Sequence, residues 1–135
     1  MSKQEAMKAF TDAEAKTFFM KMVGDYYRYM AENAKDDMRI QANEGALEHY
    51  KLASTAGKDL HACNPIKLGL ALNFSVFYYE NMNKKQMACY VAETALKDAM
   101  NKIDDVDAET FNEAKEIIEL MKENLTRWKE KDDAK

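Results

Sequence analysis

Two cationic side chains and a phenol share one side of a predicted helix. Lys21 and Arg28 are seven positions apart, so on a helix they lie about 20° apart in projection and about 10 Å apart along the axis. Tyr29 flanks them. A guanidinium bonds two phosphate oxygens at once, and an ammonium adds a second positive charge. The strip therefore predicts a phosphate-binding site.

Asp25 leaves an alternative open for the same strip. It stands four positions after Lys21 and three before Arg28, the spacings at which helical side chains of opposite charge meet. The three residues could form only solvent-exposed ion pairs, which contribute little to stability.

A carboxamide interrupts an otherwise apolar helix later in the chain. Asn73 lies within about 40° of Gly69 and Glu80 in projection, with Leu72 and Val76 beside it. A buried asparagine needs hydrogen-bond partners, and its amide can bond both the N–H and the C=O of an extended peptide. The alternative is that groups within the helical bundle satisfy Asn73.

The last predicted helix carries an apolar flank beside its core-facing strip. This flank holds one amide and the only tryptophan of the chain, and it comprises Ile117, Leu120, Asn124 and Trp128. Such a flank could line a binding groove, or it could pack against the next helix.

The composition predicts helices as the elements that position these side chains. Among 135 residues there are only 4 glycines and 1 proline, far below the average share of about 12%. Turn residues this scarce cannot supply the corners of a sandwich, a barrel or an alternating α/β fold. We therefore expect an all-α fold in one domain over residues 1–135.

Capping residues mark where the helices begin. Thr11 and Glu14 form a capping box, the Asp36–Asp37 pair can cap a second helix, and Asn64 precedes a proline at the first position of a third. The acidic linker at residues 104–107 caps the last helix. Residues 1–10 and 130–135 are expected to fray. The five helices are predicted to end near residues 34, 56, 83, 103 and 129.

The first helix has an unusually wide apolar side. Its apolar residues cover an arc of about 200°, twice the stripe of an ordinary surface helix, so the helix calls for neighbours on two sides. We name this set the apolar arc: Phe18, Met22, Val23, Tyr26, Tyr27, Tyr29 and Met30.

Charge and residue counts exclude several functions. A net charge of −4 provides no general attraction to nucleic acid or to an anionic membrane, and the apolar run 68–79 is too short to cross a bilayer. Two cysteines without a CxxC pair, and no secretory leader, indicate the cytoplasm. With two histidines and no P-loop, HExxH or GxSxG motif, we expect no metal, no cofactor and no enzymatic activity.

Three segments together identify a family resemblance. FMKMVGDYYRYMAE (residues 19–32) resembles the fifth-helix signature of the 14-3-3 proteins, and PIKLGLALNFSVFYYE (residues 65–80) resembles the seventh. Residues 117–128, which end in NLTRW, resemble the last-helix motif. The likeness covers about residues 11–128, in order and with nearly unchanged spacing.

The resemblance implies an adapter whose amphipathic groove binds segments containing phosphoserine or phosphothreonine. Lys21, Arg28 and Tyr29 would hold the phosphate. Asn73 and Asn124 would bond the backbone of the bound segment, with Glu80 and Trp128 assisting. The apolar side of the groove would consist of Leu72, Val76, Ile117 and Leu120.

Only the last five of the family's nine antiparallel helices are matched, so the resemblance implies an antiparallel array of five helices. In the family, the first four build a dimer interface and supply two further phosphate-binding cations. A charged hydrogen bond contributes about 1.5–3 kcal/mol, so the loss of two contacts with the phosphate predicts roughly 100-fold weaker binding of a phosphorylated segment. The apolar arc also loses its neighbours, which predicts non-canonical self-association. The alternative function is a shortened structural or regulatory module that associates through exposed apolar helix faces without dependence on phosphate.

Overall fold

Residues 11–133, which the computed structural model describes with side chains as far as residue 130, form five α-helices and one short 3₁₀ turn. No strand occurs within residues 11–133, and the all-α prediction is confirmed. The 3₁₀ turn is Ile103–Asp105, and the helices are α1 (Asp12–Asn33), α2 (Asp36–Ala56), α3 (Pro65–Glu80), α4 (Lys85–Lys102) and α5 (Ala108–Asp133).

Two of the predicted helix starts have the expected hydrogen bonds. Thr11 Oγ1 accepts from the backbone N–H of Glu14 at 3.1 Å, and the Glu14 side chain bonds the Thr11 N–H in return. Asn64 Oδ1 accepts from the N–H groups of Ile66 and Lys67 at 2.9 and 3.3 Å, with proline at the first helical position. Both caps occupy N–H groups that the first helical turn leaves without partners.

The start of α2 differs from the prediction. Lys35 is the N-cap, without a side-chain hydrogen bond, and Asp36 and Asp37 are the first two helical residues. Asp36 has a φ of 54°, in the left-handed region that aspartate tolerates better than most residues. The prediction that these two residues cap the helix is wrong. Their carboxylates instead lie in the first turn, where the helix dipole favours negative charge.

Two helix ends also differ. α3 ends at Glu80 rather than near residue 83, because Asn83 has a left-handed φ of 53° that the helix cannot continue through. α5 continues to Asp133, beyond the predicted end near residue 129. The predicted fraying of residues 1–10, 134 and 135 lies outside the described residues.

The chain divides into two compact units, Met1–Leu60 and His61–Lys135. In the first unit, α1 and α2 pack side by side through two reciprocal contacts between a glycine and a tyrosine. A Cβ at Gly24 would lie 2.8 Å from the Tyr50 ring, and a Cβ at Gly45 would lie 2.8 Å from the Tyr27 ring. The later position on α1, Tyr27, thus meets the earlier position on α2, Gly45, so the two helices are antiparallel.

The side of α1 that packs on α2 is not the apolar arc. The buried residues of α1 are Thr17, Gly24, Arg28 and Ala31, a narrow strip of mostly small side chains at helical spacing. Within the apolar arc, Val23 and Tyr27 are half-buried and the other residues are exposed. Small side chains allow the closest approach of the two helices, and this explains why α2 lies on that strip.

In the second unit, α3 packs against both α4 and α5, and α4 packs against α5. The buried residues of α3 spread over about 180° of its circumference, so this helix can pack against neighbours on two sides. Alanines make up the buried strip of α4 and allow close approach there. The strip consists of Ala88, Ala92 and Ala99.

The contact between Gly24 and Tyr50 predicts a cost for a single methyl group. Gly24→Ala should lower the free energy of unfolding by about 1–2 kcal/mol in urea denaturation, because the rigid ring cannot retract. Helix propensity alone would give the opposite sign, since alanine is favoured by about 1 kcal/mol. In a Tyr50→Ala background the same substitution should therefore be stabilising. A loss of equal size in both backgrounds would contradict this account.

Asp107 predicts a pH dependence at the start of α5. Its carboxylate accepts from the Thr110 N–H at 2.8 Å, and this hydrogen bond lowers the pKa of Asp107. A lowered folded-state pKa contributes stability above the unfolded value of about 4 and loses it as the pH falls through the folded value. Urea midpoints should thus fall less between pH 6 and pH 3 in Asp107→Asn than in the wild type. Identical pH profiles would remove Asp107 from the explanation.

Candidate functional site

Arg28 is held in the first unit by a tyrosine from the neighbouring helix. Its Nε donates to the Tyr50 hydroxyl at 3.1 Å, and that hydroxyl donates to Asp25 Oδ1 at 2.5 Å. Tyr50 is 0% exposed and Arg28 is 9% exposed. The guanidinium is therefore fixed at one edge by a side chain that cannot itself move freely.

Lys21 completes a group that we call the cation cluster: Lys21, Asp25, Arg28, Tyr29 and Tyr50. Lys21 Nζ lies 3.0 Å from Asp25 Oδ2, whereas Arg28 Nη2 lies 3.8 Å from Asp25 Oδ1. Of the two pairs in the alternative interpretation, only Lys21–Asp25 is joined by a direct hydrogen bond. Its side chains are mostly buried, with 20% of Lys21 and 17% of Asp25 exposed. Two cations share one carboxylate, so these three charges leave one net positive charge at neutral pH.

The electrostatics keep Arg28 charged and Tyr50 neutral. Burial opposes the charge of Arg28, but the contacts with Tyr50 and Asp25 outweigh it and raise the pKa of the guanidinium. Burial, together with the hydrogen bond to Asp25, also raises the pKa of the Tyr50 phenol. The hydroxyl consequently stays protonated and serves as donor to Asp25 and acceptor from Arg28.

The outer edge of the Arg28 guanidinium remains open. Within residues 11–133 its only hydrogen bond is the one from Nε, and this part of the chain contains no buried side-chain nitrogen or oxygen without a partner. The terminal nitrogens Nη1 and Nη2 are therefore reached by solvent. The Tyr29 ring supports the same group, with Arg28 Cζ 4.8 Å from the ring centroid. Two parallel N–H groups in this state suit an oxyanion.

In the second unit, α3 leaves one strip incompletely buried. Asn73, Leu72 and Val76 are half-buried and Glu80 is exposed. Together with Ile66 and Gly69 they span about 120° within the arc of about 180° that the buried residues leave. This arc contains every residue of α3 that the sequence predicted for the site.

The flank of α5 divides into a buried and an accessible part. Asn124 and Ile117 are half-buried and Leu120 is exposed, and Asn124 Oδ1 accepts from Arg127 Nη2 at 2.8 Å. Trp128 is only 2% exposed, and its ring stacks on Tyr79 with 4.6 Å between centroids. For Trp128 this geometry favours the packing interpretation over a direct contact with a ligand.

The structure thus brings Lys21, Arg28 and Tyr29 together in the first unit. The predicted amide and apolar residues lie in the second unit, on α3 and α5. Their assignment to ligand binding stays a prediction.

Tyr50 was not identified from the sequence. Its position carried a signal, because it lies among the buried alanines of α2 at helical spacing: Ala42, Ala46 and Ala53. A lone large ring in a strip of alanines requires a small residue opposite it, and α1 provides Gly24, four positions before Arg28.

Other kinds of site find no support in the part of the chain that is described. Residues 11–133 contain no group of three His, Cys, Asp or Glu side chains that could hold a metal ion, and neither Cys63 nor Cys89 forms a disulfide bond. Among the same residues, no helix is both long enough and apolar enough to span a membrane.

Comparison with known proteins gives one consistent result. The family profile described as 14-3-3 protein matches residues 3–129, slightly beyond the predicted 11–128. The chain is 44% identical over 122 residues to 14-3-3 protein 2 of Entamoeba histolytica, which covers 90% of the chain and 51% of that protein. It is 46% identical over 117 residues to the checkpoint signal transducer rad24 of Schizosaccharomyces pombe, covering 86% of the chain and 43% of that protein.

A third relative is protein BMH1 of Saccharomyces cerevisiae, 45% identical over 119 residues, covering 87% of the chain and 45% of that protein. The chain therefore spans about half the length of the curated relatives it matches.

Burial of the cation cluster predicts unequal effects for two ion pairs of similar length. Asp25→Ala should lower the free energy of unfolding by about 2–3 kcal/mol, because it leaves Lys21 and Tyr50 without their acceptor in a partly buried place. Glu93→Ala is the control: its pair with Lys129 measures 2.9 Å, but the side chains are 50% and 61% exposed. We expect a loss under about 0.5 kcal/mol there. Equal losses in urea denaturation would contradict the burial argument.

Proposed function

Because the chain belongs to the 14-3-3 family, we propose that it acts as a non-enzymatic adapter that binds protein segments carrying phosphoserine or phosphothreonine. The proposal also places it in the cytoplasm and assigns it no cofactor.

The observation that supports the proposal is the state of Arg28. A buried guanidinium with one net positive charge around it, fixed through Nε and open at both terminal nitrogens, is organised before a ligand arrives. Such preorganisation reduces the entropy that binding must offset. A phosphate dianion offers the pair of oxygens that the two open N–H groups require. Lys21 can turn from Asp25 to the same anion.

We also propose that residues of the second unit contact an extended protein segment. We assign backbone contacts to Asn73 and Asn124, with Glu80 assisting from the exposed end of the α3 strip. Leu72, Val76, Ile117 and Leu120 would contact apolar side chains of the segment. The incomplete burial of these residues supports the assignment. Trp128 is assigned an indirect role, because its ring is stacked within the unit.

The affinity of this chain should be lower than that of a site with four cations. Lys21 and Arg28 are the two cations that the resemblance assigns within these residues, and two more belong to helices that precede the match. We propose that the 135-residue chain binds phosphorylated segments roughly 100-fold more weakly than a site with all four.

The exposure of the apolar arc supports a second candidate function, association with another protein surface independent of phosphate. Phe18, Met22 and Tyr26 are 49%, 49% and 66% exposed on neighbouring turns of α1, and contiguous apolar surface of this kind is typical of interaction sites. Multi-angle light scattering tests it as self-association. A single monomer peak with a cooperative thermal transition would argue against that reading.

The adapter proposal predicts a preference that depends on Arg28. The chain should bind a fluorescein-labelled phosphoserine peptide more tightly than the matched unphosphorylated peptide in fluorescence anisotropy. Arg28→Glu should abolish the preference, since it places an anion where the phosphate binds. Arg39→Glu makes the same charge change at an exposed position of α2, and it should leave the preference intact.

Two outcomes would overturn the proposal. Equal binding of both peptides by the wild type would favour the phosphate-independent candidate. An equal loss in the Arg28 and Arg39 variants would attribute any preference to net charge rather than to the cation cluster.

A further inference from the structure

We propose that Tyr50 is a positioning residue of the phosphate site, whose hydroxyl separates the Arg28 guanidinium from the Asp25 carboxylate and so keeps the guanidinium available to an anion. The inference rests on the proposed function and extends the site from α1 to α2.

The argument begins with the competition for Asp25. Arginine three positions after aspartate on a helix is placed to form a direct ion pair, and a guanidinium and a carboxylate can join through two parallel hydrogen bonds. Here they do not: Arg28 Nη2 stays 3.8 Å from Asp25 Oδ1, beyond hydrogen-bond distance. The atom that occupies Oδ1 is the Tyr50 hydroxyl, at 2.5 Å.

The same hydroxyl also determines which edge of the Arg28 guanidinium forms a hydrogen bond inside the protein. It accepts from Nε at 3.1 Å, so the hydrogen bond inside the protein is made by the inner nitrogen and the two outer nitrogens stay open. The hydroxyl accepts a hydrogen bond from Arg28 and donates one to Asp25. It therefore bridges the guanidinium and the carboxylate without direct contact between the two charged groups.

The backbone of α1 fixes where this hydroxyl can lie. The Tyr50 ring is completely buried, and its edge lies against Gly24, at 2.8 Å from the position of a missing Cβ. The other oxygen of Asp25 is occupied by Lys21 at 3.0 Å. The carboxylate is therefore held at both oxygens while the hydroxyl remains in place.

Loss of the hydroxyl should make the Arg28 guanidinium less available to a phosphate without unfolding the chain. In Tyr50→Phe the ring still fills the space beside Gly24, but nothing separates Arg28 from Asp25. The guanidinium can then form the direct ion pair, and a phosphate must break that pair in order to bind. A phosphate would also lose the preset orientation of the two outer nitrogens.

The test is a cycle of four proteins: wild type, Tyr50→Phe, Asp25→Asn and the double variant, each titrated with the phosphoserine peptide and its unphosphorylated match. Tyr50→Phe should reduce the phosphopeptide preference about tenfold when Asp25 is present, the value of one charge-assisted hydrogen bond. In the Asp25→Asn background the same change should reduce it less than about threefold, because an amide is not an ion-pair partner for Arg28. A purely structural role of Tyr50 would give the same reduction in both backgrounds.

Each outcome has a distinct meaning. If the wild type shows no preference, the proposed function fails and this inference fails with it. If the wild type shows the preference and Tyr50→Phe matches it, only the role of Tyr50 is overturned. Equal reductions in the two backgrounds overturn the separating role of the hydroxyl.

A measurement on the folded wild type covers the case in which a variant does not fold. The chain has three arginines, at positions 28, 39 and 127. The hydrogen bond to Tyr50 predicts that the Nε proton of Arg28 exchanges with water more slowly than that of the exposed Arg39 in ¹⁵N NMR. Equal exchange rates would overturn the proposed positioning.

Discussion

The Tyr50 hydroxyl is the contact on which the arrangement of the charged residues depends. It connects a buried guanidinium to a carboxylate through one neutral oxygen, and it does so from a different helix than the one that carries both charges. A charge placed in a partly buried site is costly unless it has partners. This network provides the partners without using the outer nitrogens of Arg28, so stability of the fold and availability of the site do not compete.

The glycines of α1 and α2 make that contact possible. Gly24 lets the Tyr50 ring lie directly on the backbone of α1, and Gly45 does the same for Tyr27 on α2. Each helix thus inserts one ring into the space that the other leaves empty. Two helices joined in this way have little freedom to slide, because a shift along the axis would drive a rigid ring into a turn with side chains. The ring contacts that fix the register of the helix pair therefore also fix the position of the Tyr50 hydroxyl.

Local signals in the sequence predicted the helices well. The caps at Thr11 and Asn64 depend on hydrogen bonds between residues two or three positions apart, so the sequence contains everything they need. The strip of α3 around Asn73 was also recognisable, since helical periodicity determines which residues share a side. The sequence did not indicate which side of α1 packs on α2. Apolar character marked one side of this helix, and the close approach that small residues allow selected the other. Tyr50 was missed for a related reason: its partners lie 22 and 25 positions away, and no local pattern encodes such a distance.

The stacking of Trp128 on Tyr79 gives the molecule a built-in optical reporter. The chain has one tryptophan, and it is enclosed in the second unit against α3. Its intrinsic fluorescence therefore monitors the docking of α5 on α3, whereas far-ultraviolet circular dichroism records the loss of helix throughout the chain. Recording both signals in one denaturation experiment shows, without any label, whether α5 leaves α3 before the helices melt.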